Sequence, residues 1–488
     1  MANRKISTFE RLQQGKLNRK QRRELGRRLH SEDPGLQVVH PDAAGIDIGN
    51  ESHFVAIPPD RDAAPIREFG SWTADLQEMA NWLIERGITT VALQSTGVYW
   101  IAVLEVLEQA GLEVYLVNAR GTRNLPGRKT DVQESEWIRK LHTYGLLRNS
   151  FRPREEIRAV RTIWRQRERW VQESGRAVQH MQKALTTMNV QLANAISDIS
   201  GTTGQAIVRA IVAGKRDPWE LAELRDRRIF ATKEEIAHSL QGHWREDIIF
   251  ELRQAVESYD FFQKQMTACD QELIKYMAAI DSREILPKQD LPENAVPLPC
   301  AKPRRRSKTR SKNRPGFDLA AELERTMGVD LTRIDGIDVI TAQVIFSEIG
   351  PDFSAFRDEN HFASWLTLAP KRDISGGKVI RHIHATGRNR VANALRMSAE
   401  SYSRSNSYLG ARYRRLRARM DGPVAVKAMA RYLACLVFRI VTKGQAYVDR
   451  GAAHYEAKRQ ERERIALERR AANLGLKLVP QIPMIRAQ

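Results

Sequence analysis

Three carboxylates and one amide in the first 134 residues have the side-chain chemistry that metal-assisted phosphoryl transfer would use, if the fold brings them together. Asp47 stands in "AAGIDIG" between Ile46 and Ile48, so in a strand it faces away from both. A charge in an apolar central strand is costly to bury unless it is paired or holds a cation. Asp131 and Glu134 follow in "TDVQESEW", three apart on one face of a predicted helix. The bland alternative for these two is a first helical turn stabilised by negative charge. As oxygen donors, the carboxylates suit Mg2+ (or Mn2+), which keeps sites for water and phosphate, and paired ions can clamp the attacking and leaving oxygens of a transfer. Gln94 closes the apolar run "TTVALQS", where a strand should deliver a reactive group to a sheet edge. Its carbonyl oxygen can face a metal or orient water, but it lacks the Coulomb attraction of a carboxylate.

A nucleophile of another kind lies far downstream. "RDISGGKVI" sets Ser375 before two glycines, in a predicted loop ahead of the extended segment "KVIRHIHA". Exposure and backbone freedom are what attack on a phosphate requires, although such a serine, read alone, is more often a turn residue.

The elements that must hold these groups follow from periodicity. "AAGIDIG", "SHFVAIP" and "PIREFGSW" read as three strands, then the helix "ADLQEMANWLIERG", the strand "TTVALQS", the helix "WIAVLEVLEQAG", the strand "LEVYLVN" and a helix from Asp131 to Leu147. A meander followed by crossover helices implies a mixed sheet with helices on its faces. From Glu155 to Ile199 a single long helix is expected, its apolar residues stepping by three and four. A second such helix runs from Glu246 to Ile280, with Gln263 and Asp270 interrupting its seam. Together they predict an antiparallel coiled-coil arm. A Pro-rich and basic linker follows, in which seven of the eleven residues from Arg304 to Arg314 are basic. Beyond Phe317 the chain reads as mainly helical, and "LTRIDGIDVITAQVIFSEIG" resembles a helix-hairpin-helix unit with Asp338 where a second glycine usually stands.

Charge points to the partner. The 488 residues hold 79 Lys plus Arg against 59 Asp plus Glu, a net charge of +20 that predicts attraction to nucleic acid. Ten of the basic residues precede His30, in a segment that is either a solvated tail or a phosphate-contacting arm. The cysteines, Cys269, Cys300 and Cys435, form no C-x-x-C pair, so neither a zinc ribbon nor a disulfide framework is suggested and a reducing cytoplasm fits best. No apolar run approaches the length of a membrane span, and no membrane partner is expected.

The strand order, Asp47 in "GIDIG", the segment "STGVYW" and "LPGRKTDVQESEWIRKLHTYGLLRNSF" resemble the insertion-sequence-110 family of transposases. "RIDGIDVITAQVIFSEIG" and "FASWLTLAPKRDISGGK" resemble that family's C-terminal domain. The resemblance implies an α/β plus all-α chain: a ribonuclease-H-like (RuvC-type) mixed-sheet domain, the arm, and a mainly helical transposase domain. Its expected divisions are a basic extension (1–42), the RuvC-like domain (43–153), the arm (154–285), the linker (286–316), the transposase domain (317–448) and a basic tail (449–488). The family's DEDD acidic set falls by position on Asp47, Gln94, Asp131 and Glu134, so the second member is an amide and the fourth a glutamate. Its catalytic serine falls on Ser375. Implied partners are donor and target DNA and an element-encoded structured guide (bridge) RNA, with assembly as a dimer or tetramer near the bacterial or archaeal nucleoid. Candidate nucleic-acid contacts are Arg128, Lys129, Arg304, Arg305, Arg306, Lys378, Arg388 and Arg390. Two rival readings stand beside this one: a junction-resolving nuclease that uses activated water, and an RNA/DNA-binding scaffold impaired at Gln94.

Overall fold

Thr-Val-Ala-Leu-Gln, residues 90 to 94, is buried along its whole length, as befits a strand covered on both faces. It is an interior strand of a five-stranded sheet. The computed structural model describes residues 19–30, 35–94, 97–118, 130–283, 313–375, 378–383, 389–444 and 451–477. The chain folds as two compact units, residues 1–152 and 153–488.

In the first unit a basic helix α1 (Arg19–His30) precedes β1 (Ala43–Ile48), β2 (Ser52–Ala56) and β3 (Ile66–Gly70). Then come α2 (Thr73–Glu85), β4 (Thr90–Gln94), α3 (Trp100–Gln109), β5 (Glu113–Val117) and α4 (Asp131–Thr143). The first three strands form an antiparallel meander, and β1 pairs parallel with β4, which pairs parallel with β5. Alternation along the strands sorts side chains onto two faces. Ile46, Ile48, Val91 and Leu93 pack with Leu76, Met79 and Leu83 of α2 and Val103, Leu104 and Leu107 of α3. On the other face Ala92 and Val117 meet Trp137, Ile138 and Leu141 of α4 and Leu25 and Leu29 of α1. The result fits the expected ribonuclease-H-like α/β arrangement.

The second unit opens with α5 (Glu155–Thr187). It continues through short helices α6 (Leu192–Ala195), α7 (Thr202–Val212), α8 (Pro218–Ala222) and α9 (Lys233–Ser239) to α10 (Glu246–Ala278). The helix expected to run to Ile199 stops at Thr187. Asn189 there adopts a left-handed backbone (φ 57°), which asparagine tolerates better than most residues. The Met188 carbonyl accepts from the His243 amide at 2.8 Å, so the chain turns away. Leu192, Ile196 and Ile199 therefore join a core with Ile207, Leu221 and Ile236 instead of extending the seam. Between α5 and α10, contacts pair Arg167 with Asp270, Ser174 with Gln263 and Lys183 with Glu251, so the helices lie antiparallel. The two polar interruptions of the α10 seam thus have partners on α5.

After residue 313 the chain forms α11 (Leu319–Met327), a 3-10 turn (Leu331–Arg333), α12 (Val339–Ile349) and α13 (Glu359–Trp365). A hairpin of β6 (Lys371–Ser375) and β7 (Lys378–Ile383) is followed by α14 (Arg390–Ser401), α15 (Tyr408–Arg417), α16 (Gly422–Lys443) and α17 (Gly451–Asn473). Among the described residues no helix is long and apolar enough to cross a membrane.

Candidate active site

Asp47 lies near the end of β1, half-buried between the buried Ile46 and Ile48. Ile46 is registered with Leu93, so the next step along both strands sets Asp47 beside Gln94. Residues paired in this way point to the same side of a sheet. That side is the α4 side, because Ala92, two residues before Gln94, packs with Trp137 and Ile138. Gln94 is 7% exposed.

Gly45 decides how α4 meets this edge. A β-carbon there would stand 2.2 Å from the Arg139 amide nitrogen and 2.4 Å from the Ser135 carbonyl oxygen, so glycine allows helix backbone to lie directly on β1. From Arg139 to Ser135 to Asp131 the helix proceeds as β1 does from Gly45 to Asp47, which carries the first turn of α4 to the sheet edge at Asp47. Thr130 caps that turn by accepting from the Gln133 amide at 3.3 Å. At the other end, buried His142 lies 2.9 Å from the Thr90 hydroxyl and stacks on His40 with ring centroids 4.6 Å apart. Helix α4 is thus held to the sheet at Gly45 and at Thr90.

Asp47 and Asp131 line one cavity of about 320 Å³, together with Asn50, Glu51 and Ser52 of the β1–β2 hairpin. Glu134, three residues along α4, is partly buried and is not on the wall of that cavity. Among the described residues no three Asp, Glu, His or Cys side chains converge closely enough to hold a metal ion by themselves. Magnesium does not demand such a cage: it commonly uses one or two carboxylates, waters and substrate phosphates, and two carboxylates opening on one cavity fit that donor set. Glu51 also faces the cavity, although its place in the turn "GNES" carries no periodic signal that would single it out.

Ser375 belongs to the second unit. It does not sit in a loop as expected: it is the last residue of β6, registered with Lys378 at the start of β7. Gly376 and Gly377 lie outside the described residues. Arg390, expected to contact nucleic acid, is ion-paired with Glu168 of α5 and remains partly exposed. Lys378 begins β7, while Arg128, Lys129, Arg304, Arg305, Arg306 and Arg388 lie outside the described residues. In the helix-hairpin-helix segment the first helix is only the 3-10 turn at Leu331–Arg333. The Asp338 carboxylate accepts from the Thr341 amide at 2.8 Å, occupying the end of α12 where a phosphate would otherwise be held.

Two family models match the chain. One, of a DEDD domain and described as "Transposase", covers residues 44–190. The other, described as "Transposase IS116/IS110/IS902 family", covers residues 330–414. No curated protein matches the chain.

Proposed function

Because this chain belongs to the IS116/IS110/IS902 family of transposases and so is a DNA transposase, we propose that it cuts and rejoins DNA through Ser375 with help from a divalent metal. The single observation that carries the metal-assisted part is that Asp47 and Asp131 open onto one cavity at the sheet edge. Asp47 and Asp131, with Glu134 behind them, would hold the ion. When bound, Mg2+ (or Mn2+) would offset negative charge gathering on the phosphate and favour ionisation of the attacking hydroxyl. Gln94 takes the amide role: its carbonyl oxygen orients water or the scissile phosphate beside Asp47.

The Ser375 hydroxyl attacks the scissile phosphorus. A Ser375 Oγ–P bond forms, one deoxyribose oxygen leaves and takes up a proton, and the number of phosphoesters is unchanged. Reversal by a new deoxyribose hydroxyl rejoins DNA without a free end. The serine and the acids lie far apart in the chain, and supply by different protomers would tie catalysis to assembly of a dimer or tetramer. In this reading residues 43–153 act as a RuvC-like domain, the paired long helices as a coiled-coil arm, and residues 317–448 as the serine-bearing domain. Target choice falls to a structured guide RNA, which the net charge of +20 and the basic runs before His30 and at 304–314 would hold.

The test combines purified protein, element-encoded RNA, donor and target DNA and magnesium, and maps any denaturation-resistant protein–DNA adduct. An adduct at Ser375 that is lost in Asp47→Asn supports the reading. Cleavage without an adduct, unaffected by Ser375→Ala, would instead favour a water-using nuclease; binding without chemistry, rescued by Gln94→Glu, would favour a disabled scaffold.

A further inference from the structure

Immediately beyond Gln94, the chain exposes three large apolar side chains in four residues. Val98 is 68% exposed, Tyr99 45% and Ile101 40%, and none belongs to the core of the first unit. Single exposed apolar residues are ordinary on protein surfaces. Three such residues close together in sequence beside a candidate active site offer an apolar surface to a ligand. Strand β4 carries Gln94 to that edge, and α3 begins at Trp100 on the sheet face opposite α4. The edge is thus flanked by Asp131 on one side and by the turn at 97–99 on the other.

That turn is braced. Gly97 takes a positive φ of 53°, and a β-carbon there would approach the Tyr99 ring at 3.3 Å, so one part of the ring rests on bare backbone. The Trp100 indole N–H donates to the Gly97 carbonyl at 3.2 Å. Arg152 lies over the Trp100 ring at 5.9 Å and donates to Glu108 at 2.8 Å, fixing the start of α3 from outside. Tyr99 is therefore an aromatic surface held in place without being buried.

We propose that Tyr99 is the positioning residue for the DNA strand at this site, stacking on an unpaired nucleobase next to the scissile phosphate. This rests on the reading that DNA occupies the Asp47–Asp131 cavity. A base carries a flat π face whatever its identity, so an exposed, immobilised ring grips a strand without reading its sequence. Such a contact suits an enzyme whose target choice lies elsewhere. Val98 and Ile101 would shield the stacked base from water, and the tyrosine hydroxyl has no necessary part.

The experiment uses the full chain with its RNA and donor DNA carrying 2-aminopurine at single positions around the cleavage point. Wild type and Tyr99→Phe are expected to quench fluorescence at one position adjacent to the scissile phosphate. Tyr99→Leu keeps apolar bulk but has no π face; it should lose the quench and weaken DNA binding by roughly 10- to 100-fold, the range of one base stack. Thermal unfolding matched to wild type shows that Tyr99→Leu is folded, and Tyr99→Trp should restore both readouts. Quenching and affinity in Tyr99→Leu equal to wild type would overturn the proposal. Asp47→Asn separates the two readings: unchanged adduct formation there defeats the metal-site reading, whereas its loss beside an inert Tyr99→Leu defeats the stacking proposal alone.

Discussion

Gly45 of β1 lies against the backbone of Arg139 in α4, at a separation that leaves no room for a side chain. This contact sets the height of α4 above the sheet, and with it the approach of Asp131 to Asp47. Gly45→Ala should force the helix outward, cost about 1–3 kcal/mol by overpacking and sharply reduce adduct yield. Gly175→Ala in α5, where nothing lies within 4 Å, should be harmless or slightly stabilising. Thermal unfolding and adduct assays of the two variants check this contrast.

Gln94→Glu puts a second carboxylate into a nearly buried position beside Asp47. Without divalent metal, like charges and desolvation should destabilise the variant by about 1–3 kcal/mol. With magnesium the same charge should be welcome, so the magnesium-dependent rise in melting temperature should exceed that of wild type. Equal rises in the two proteins would show that residue 94 does not face the ion.

The acid limb of the stability profile should carry the signature of His142. Burial, reinforced by the neighbouring His40, lowers its pKa from 6.5 to about 3. Above pH 6.5 the ring is neutral in folded and unfolded chains alike. As pH falls below 6.5 the unfolded chain takes up a proton that the folded one refuses until near pH 3, so stability declines across that window. His53, also lowered by burial, adds in the same direction. His142→Gln should flatten this limb, as measured by denaturant unfolding between pH 7 and pH 4.

In the second unit, Arg167 and Asp270 form an ion pair in which both side chains are nearly buried. Arg167 also donates to the Asn313 carbonyl at 3.1 Å, and Asp270 accepts from the Gly316 amide at 2.9 Å. Asp270→Ala leaves a buried guanidinium unpaired and should cost about 3–5 kcal/mol, whereas replacing both partners with apolar residues should be nearly neutral. If the pair also fixes the register of the two helices, the double replacement will broaden the unfolding transition while leaving its midpoint close to wild type.

Much of the first unit was legible in the sequence, because strand alternation and crossover helices leave strong periodic signals. "GIDIG" and "TVALQ" marked strands by their apolar runs, and Asp131 with Glu134 marked a helix start. The end of α5 was not legible: the three-and-four spacing continues through Asn189 to Ile199, and only the bond from His243 to Met188 shows the chain leaving the helix axis. Gln263 and Asp270 looked like defects in a seam because their partners, Ser174 and Arg167, lie 89 and 103 residues away.

The sequence by itself determined the side-chain types on which the proposed site would draw: carboxylates at 47, 131 and 134, an amide at 94 and a serine before two glycines. Those properties are local, carried by side-chain type and by the periodicity of a few neighbours. Only the tertiary structure decided that Gln94 stands in the next register beside Asp47, that Asp131 shares its cavity while Glu134 does not line it, and that Glu51 joins the wall. These depend on strand register and on the distance at which α4 settles on Gly45, set by packing between segments 47 residues apart in the first case and 94 in the second.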